Sequence, residues 1–309
     1  MPKKGTTALI TSGGGAKGAF SVGALLKLSE LGMKRYDIIS GTSTGAFIAA
    51  MASIGDFKTL EDIYLSVNND DILNKENIVD NFLANKPYLY STDPLKDMIS
   101  EHITDEVFDK IMASPTILCL TAISLQTGLT TVFCTKNIPE NATYQVIVVK
   151  TAQQLRDALL ASGSQAGFLP PVTIELGSGA NKRKEQFVDG GNREVIPSKV
   201  VVDLEPELIF VLSNNPPVLF RGKSDYTKKS ILDVILRAIS IFIQDVREND
   251  IAVLDEYSTT TEAKVFRIEP DTDLDPDHPT GLNFSIDSMM VWMSKGSKRA
   301  QSVFEPFMG

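Results

Sequence analysis

Histidine and cysteine are nearly absent from this chain, with two of each in 309 residues. Both types are common instruments of catalysis and metal binding, so a histidine-rich or cysteine-rich metal centre and a disulfide framework are excluded by number alone. Positive charge is also in deficit: 30 Lys and Arg stand against 39 Asp and Glu, a formal net charge of -9. That balance argues against a nucleic-acid binder and against attraction of the whole molecule to anionic lipid, while leaving room for a local basic patch. Long apolar runs are missing as well. None approaches the roughly 18 residues of a membrane span, and the stretch after Lys3-Lys4 is too short for a signal peptide. The expectation is a chain without a transmembrane segment, made in the cytoplasm and residing there or peripherally at membranes, with a non-Sec export route left open. Cys119 and Cys134 lie on apolar segments either side of Gln126-Thr127-Gly128. Whether they meet depends on strand register, and two buried thiols is the expectation.

What is present is an ordinary globular composition, 43% hydrophobic and 22% charged, enough for one large domain or two modest ones. Apolar runs alternate with helical patterns, the habit of an α/β fold. Residues 6–11 read as a strand, followed by three glycines and then by Phe20, Ala24, Leu25, Leu28 and Leu31 at helical spacing. A second strand at 37–40 leads into a buried helix at 44–54. Residues 56–114 read as an inserted helical layer interrupted at Pro87 and Pro94, and 116–124 with 130–135 as a strand pair about a Thr-Gly turn. A helix at 151–161, a loop at 162–171, strands at 172–176 and 186–188 around a basic loop at 181–184, and a strand at 207–212 follow. The apolar helix at 230–246 is expected in the core. A strand at 265–268, an acidic loop and an apolar-containing tail complete the chain.

Gly41-Thr42-Ser43-Thr44-Gly45 places a Gly-x-Ser-x-Gly pattern between a predicted strand and a predicted helix. A serine on that sharp turn projects its hydroxyl from a strained backbone, flanking glycines let the chain fold tightly, and the helix aims its N–H groups at the reacting oxygen. Gly13-Gly14-Gly15-Ala16-Lys17-Gly18 fits a dinucleotide fingerprint in spacing, but Asp37 begins the second strand rather than ending it, and a phosphate loop would need Ser or Thr after Lys17. The remaining reading is an oxyanion hole, with backbone donors unobstructed by side chains. Only His102 and His278 could serve as a histidine base, and both read as surface residues. Phe187-Val188-Asp189-Gly190-Gly191 instead offers a carboxylate at the end of an apolar run, with glycines that let a partner approach. The alternating acids Asp271, Asp273, Asp275 and Asp277 fail as an EF-hand loop, having Pro276 where glycine is required and Leu282 where a bidentate Glu is required. Lys182-Arg183-Lys184 is expected to present the mouth of the site to anionic head groups.

In this order the three motifs resemble the patatin-like family of serine acyl hydrolases, with further echoes at Ser91-Thr92-Asp93-Pro94-Leu95, Leu125-Gln126-Thr127-Gly128, and from Ala161-Ser162 to Pro170-Pro171. The resemblance covers about residues 5–215. It implies a three-layer α/β fold with a mostly parallel central sheet flanked by helices. It also implies a catalytic domain at 5–215, with a C-terminal helical extension, 216–309, packed on it. The implied chemistry is a dyad with Ser43 as nucleophile and Asp189 as base, and an oxyanion hole at Gly13, Gly14 and Gly15. Lys17, Gly18, Gly41, Gly45, Gly190 and Gly191 would support these motifs, with no metal and no cofactor. A carboxylate of ordinary pKa, near ~4, is a poor base for a hydroxyl, so Asp189 is expected to be partly desolvated. The implied substrate is a phospholipid or other lipid ester at a membrane surface, with an activator or self-association open and no nucleic acid. Two alternatives stand beside it: an α/β-hydrolase triad using His278, and a nucleotide-binding or lipid-binding module without turnover.

Overall fold

The computed structural model describes residues 5–72, 86, 88–177, 179, 182–217, 231–276, 278 and 281–307. Pro87, Asn181, Ser230 and Asp277, with residues 73–85 of the helical insertion, lie outside them. The chain begins with β1 (Thr7–Thr11), then α1 (Gly18–Glu30), β2 (Ile38–Thr42) and α2 (Thr44–Ala52). Successive residues of β1 and β2 are buried on both faces, as expected of parallel strands covered by helices on each side. The insertion supplies α3 (Phe57–Ser66), α4 (Asn69–Ile72), α5 (Asp93–His102) and α6 (Asp105–Ala113). Asp56 caps α3 through the Thr59 amide, and Thr104 caps α6 through the Val107 amide.

Next come β3 (Ile117–Ser124), β4 (Thr130–Cys134), β5 (Tyr144–Val148), α7 (Ala152–Gly163), β6 (Val172–Leu176) and β7 (Arg183–Asp189). The chain closes with α8 (Lys199–Val202), β8 (Leu208–Leu212), α9 (Ile231–Thr260), β9 (Lys264–Ile268) and α10 (Ile286–Phe304). The strand order is β5-β4-β3-β2-β1-β8-β9, with the β6–β7 hairpin joined to β3. Five pairings are parallel: β1 with β2 and β8, β2 with β3, β4 with β5, and β8 with β9. Leu9, Ile39 and Phe210 face a core shared with α1, α2, α3, α7 and α10, whereas Ala8, Ile38, Ile209 and Val211 face one shared with α8 and α9. The expected mostly parallel sheet between helical layers is therefore the fold. Among the described residues, no helix is long and apolar enough to cross a membrane.

The register of β3 positions the site. β2 ends where Thr42 pairs with Thr121, and the next residues of β3, Ala122 to Ser124, pair with Asp189 to Phe187 of β7. Because β4 still occupies the other edge of β3 at Ala122, β7 takes the edge that β2 vacates. Asp189 is thereby delivered beside the end of β2, where Ser43 begins its turn.

Several elements differ from the sequence reading. β5 was not anticipated, although Tyr-Gln-Val-Ile-Val is rich in strand formers. Arg183 and Lys184 belong to β7 rather than to a loop. Lys182 pairs with Glu175 at 2.5 Å and Arg183 with Glu185 at 2.6 Å, so two of the three cations are already matched by acids of the same hairpin. The apolar helix expected in the core runs to Thr260, and its first half exposes Val234, Ile235, Ile241 and Phe242. Its apolar residues circle more of the helix than the neighbouring layer can cover, a distinction that composition does not carry. Cys119 and Cys134 are buried, face each other across β3 and β4, and remain free thiols with sulfurs 3.3 Å apart.

Candidate active site

Ser43 sits between β2 and α2 with φ 57 and ψ -128, a backbone conformation that a side chain rarely adopts. The glycines on either side make the turn feasible. A Cβ on Gly41 would run into the Gly45 carbonyl, and one on Gly45 into the Thr11 carbonyl. The Ser43 amide donates to Ser162 Oγ at 2.9 Å, which ties the elbow to the end of α7. Below it, the Thr42 hydroxyl bonds Thr121 and donates to the Glu194 carbonyl at 3.0 Å.

Asp189 ends β7 with its side chain buried, and its Oδ1 accepts the Gly191 amide at 2.7 Å. Burial pushes its pKa up from 3.8 to about 6, against the downward pull of the Ser43 hydroxyl and the Gly191 amide. A Cβ on Gly190 would press on the Thr121 carbonyl and hydroxyl, so glycine is needed for the chain to turn there.

The three consecutive glycines are not equivalent. Gly13 donates its amide to the Val195 carbonyl at 3.0 Å, whereas the Gly14 and Gly15 amides have no partner among the described residues. Gly14 and Gly15 have φ of 150 and 57. The loop is cradled by Asn214, whose Nδ2 donates to the carbonyls of Ser12 at 3.0 Å and Gly13 at 3.2 Å, while its Oδ1 accepts from Ser21 Oγ at 2.7 Å. Gly18 leaves room for the hydroxyls of Tyr64 and Thr44, which bond each other. Lys17 is 3% exposed and pairs with Asp273 at 3.0 Å. With the Ala16 amide donating to the Gly281 carbonyl at 2.9 Å, this pair fastens the glycine loop to the C-terminal part of the chain.

Ser43, Asp189, Gly14, Gly15 and Lys17 open onto a cavity of about 340 Å³. Its walls are apolar and come largely from the helical insertion, through Ile63, Tyr64, Val67, Leu95, Met98 and Ile99, with Phe47 from α2. Ile239 and Ile243 of α9 and Phe284 complete it. The insertion, to which the sequence reading attached no role, thus forms the apolar wall; the signal was its apolar positions at helical spacing. Ser162 was within reach as part of the Ala161-Ser162 echo, while nothing local marks Asn214.

The histidines stand apart from this constellation. His102 packs edge-on to Phe47 with ring centroids 6.3 Å apart, and His278 is exposed with Nδ1 3.0 Å from Asp275. Neither lines the cavity among the described residues. In the acidic loop Asp273 is held by Lys17, and Asp271 lies 3.6 Å from Arg299.

Comparison with known proteins follows the same lines. The Patatin-like phospholipase family model matches residues 9–220. A cUMP-AMP-activated phospholipase of Escherichia coli is 26% identical over 187 residues, covering 59% of this chain and 53% of that protein. The chain thus spans about half the length of the curated relative it matches. Among solved structures, VipD from Legionella pneumophila aligns with 94% of this chain and 67% of its own at 12% identity and a TM-score of 0.36. The type III effector ExoU aligns with 99% of this chain and 54% of its own at 13% identity and a TM-score of 0.42.

Proposed function

The chain belongs to the patatin-like phospholipase family, and from that premise we propose that it hydrolyses acyl esters of phospholipids or lysophospholipids through a Ser43–Asp189 dyad. One observation carries the reading: a serine at a strained turn and a carboxylate whose pKa burial raises to about 6 line the same apolar cavity. At neutral pH such a carboxylate is ionised yet a far better proton acceptor than an exposed one.

Asp189 takes the hydroxyl proton as Ser43 Oγ bonds the ester carbonyl carbon. The resulting oxyanion is met by the free amides of Gly14 and Gly15, while Gly13, committed to Val195, holds the loop in place. Collapse of the tetrahedral species breaks the ester C–O bond, and the leaving alcohol receives its proton from Asp189. Water then attacks the acyl-Ser43 ester, giving its proton to Asp189, and the fatty acid leaves as Ser43 is reprotonated. The apolar cavity holds the acyl chain, and Lys17 positions the glycine loop through Asp273.

The test is fatty-acid release from mixed phospholipid vesicles in EDTA by the parent protein, Ser43→Ala, Asp189→Asn and His278→Ala. Near-complete loss in the first two variants with little change in the third is expected. Loss confined to His278→Ala would replace the dyad by a histidine triad.

A further inference from the structure

The first half of α9 carries two apolar surfaces with different surroundings. Val234, Ile235, Ile241 and Phe242 are 43%, 49%, 42% and 66% exposed. Their spacing of one and seven residues stacks them in two neighbouring turns' worth of one helix face. Ile239 and Ile243 line the cavity at Ser43. Ile235, Ile239 and Ile243 form a single i, i+4, i+8 row, so one ridge of side chains runs from the exposed stripe into the cavity. Four large apolar side chains on one exposed face are unlike the scattered apolar residues of an ordinary surface, and mark a surface that is covered in use.

We infer that this stripe of α9 docks on the surface of a lipid bilayer, placing the cavity mouth against the acyl region from which substrate is drawn. The inference rests on the reading of Ser43 and its cavity as a lipid-hydrolysing site. A bilayer is favoured because the stripe is continuous with the cavity. A substrate whose acyl chain leaves the membrane along Ile235, Ile239 and Ile243 stays in apolar contact throughout, which spares it the cost of crossing water. The charge of the chain sets the kind of bilayer: at a net -9, anionic head groups repel the molecule as a whole, so docking draws on apolar burial. A zwitterionic surface is the fitting partner.

Binding is measured in the Ser43→Ala background, so that it does not depend on turnover, by sedimentation with phosphatidylcholine vesicles. In that background Ile241→Asp with Phe242→Asp is expected to lower the partition coefficient about tenfold or more. Phe242→Trp is expected to retain binding and to shift its emission to the blue on vesicles. Binding should persist at high salt and should not strengthen with phosphatidylglycerol. With Ser43 intact, the double Asp variant should hydrolyse a water-soluble short-chain ester at the parent rate and vesicle phospholipid at least about tenfold more slowly. Equal sedimentation of the two proteins overturns the inference, as does binding that depends on anionic lipid. A dimer of the parent that the Asp substitutions dissociate would assign the stripe to a second copy and overturn it equally. If the soluble ester is not cleaved by any form, the hydrolase reading falls, whereas docking is still decided by sedimentation.

Discussion

The amide of Gly13 donates to the carbonyl of Val195 at 3.0 Å, and this bond joins the glycine loop to the segment that leaves Asp189. One residue further on, the Ile196 amide donates to Asp250 Oδ2 at 2.9 Å, with Asp250 buried on α9. Asp189, Gly13 and α9 are therefore connected through residues 189–196, and on the proposed mechanism Asp250 is expected to act as a positioning residue for a loop it does not touch. Asp250→Ala leaves the Ile196 amide without a partner, which costs about 1–3 kcal/mol of stability. Its kcat on a soluble ester should fall about tenfold with KM little changed, as displaced donors weaken only the transition state. Asp250→Asn, which keeps an acceptor for the amide, should recover most of kcat. If Asn and Ala are equally impaired, or if KM rather than kcat moves, the positioning role is wrong.

If Asp189 is the base, as proposed, its raised pKa sets the pH dependence of the reaction. Burial holds it at about 6, and only the ionised form can accept the Ser43 proton. The expected profile of kcat/KM on a soluble ester rises tenfold per pH unit below about 6 and levels off above it. A profile still rising through pH 8 would assign the essential base to another group.

Ser43 holds backbone strain that the fold bears. A non-glycine residue at φ 57 and ψ -128 costs of the order of 1–3 kcal/mol, whereas glycine adopts such angles freely. Ser43→Ala and Ser43→Gly both lose the hydroxyl, so their difference isolates the backbone. Against the extra unfolded-state entropy of glycine, about 0.5–1 kcal/mol, the Gly variant should still be about 1 kcal/mol more stable than the Ala variant in urea unfolding. An Ala variant as stable as the Gly variant would mean the turn is unstrained.

The elbow, the acid motif and the parallel sheet are legible in the sequence because each is written locally. A Gly-x-Ser-x-Gly between strand and helix states its own geometry, and apolar runs covered on both faces announce themselves. What is not legible depends on register and on layers. Nothing near Asp189 says that β7 takes the edge of β3 vacated by β2, yet that pairing alone brings the acid to Ser43. Gly13, Gly14 and Gly15 look interchangeable until Val195 engages one of them. The apolar residues of α9 have the composition of a core helix, and only the extent of the neighbouring layer decides which of them are left uncovered.

The three buried carboxyls near the site also set how stability responds to pH. Burial is the first cause in each, raising Asp189 from 3.8 to about 6, Glu194 from 4.5 to about 7 and Asp250 from 3.8 to about 8. A carboxyl raised by folding is protonated more readily in the native state, so its stabilising contribution is complete below the unfolded value and is lost as pH climbs through the folded one. All three act in the same direction, and their windows together span pH 4 to about 8. Glu175 is pulled down by the bond from Lys182, and Glu185 by bonds from Arg183 and Ser124 that outweigh its burial. Both act only below their ordinary value of 4.5, at the acid end of that window. Melting temperature is therefore expected to peak near pH 5 and to fall by several degrees by pH 8.5. Asp250→Asn cannot ionise and should lessen the fall throughout about pH 4 to 8, most distinctly between about 7 and 8 where Glu194 and Asp189 no longer contribute. Calorimetric scans of the two proteins across pH 4.5 to 9 decide it: parallel slopes would show that Asp250 is ionised at its ordinary value despite its burial.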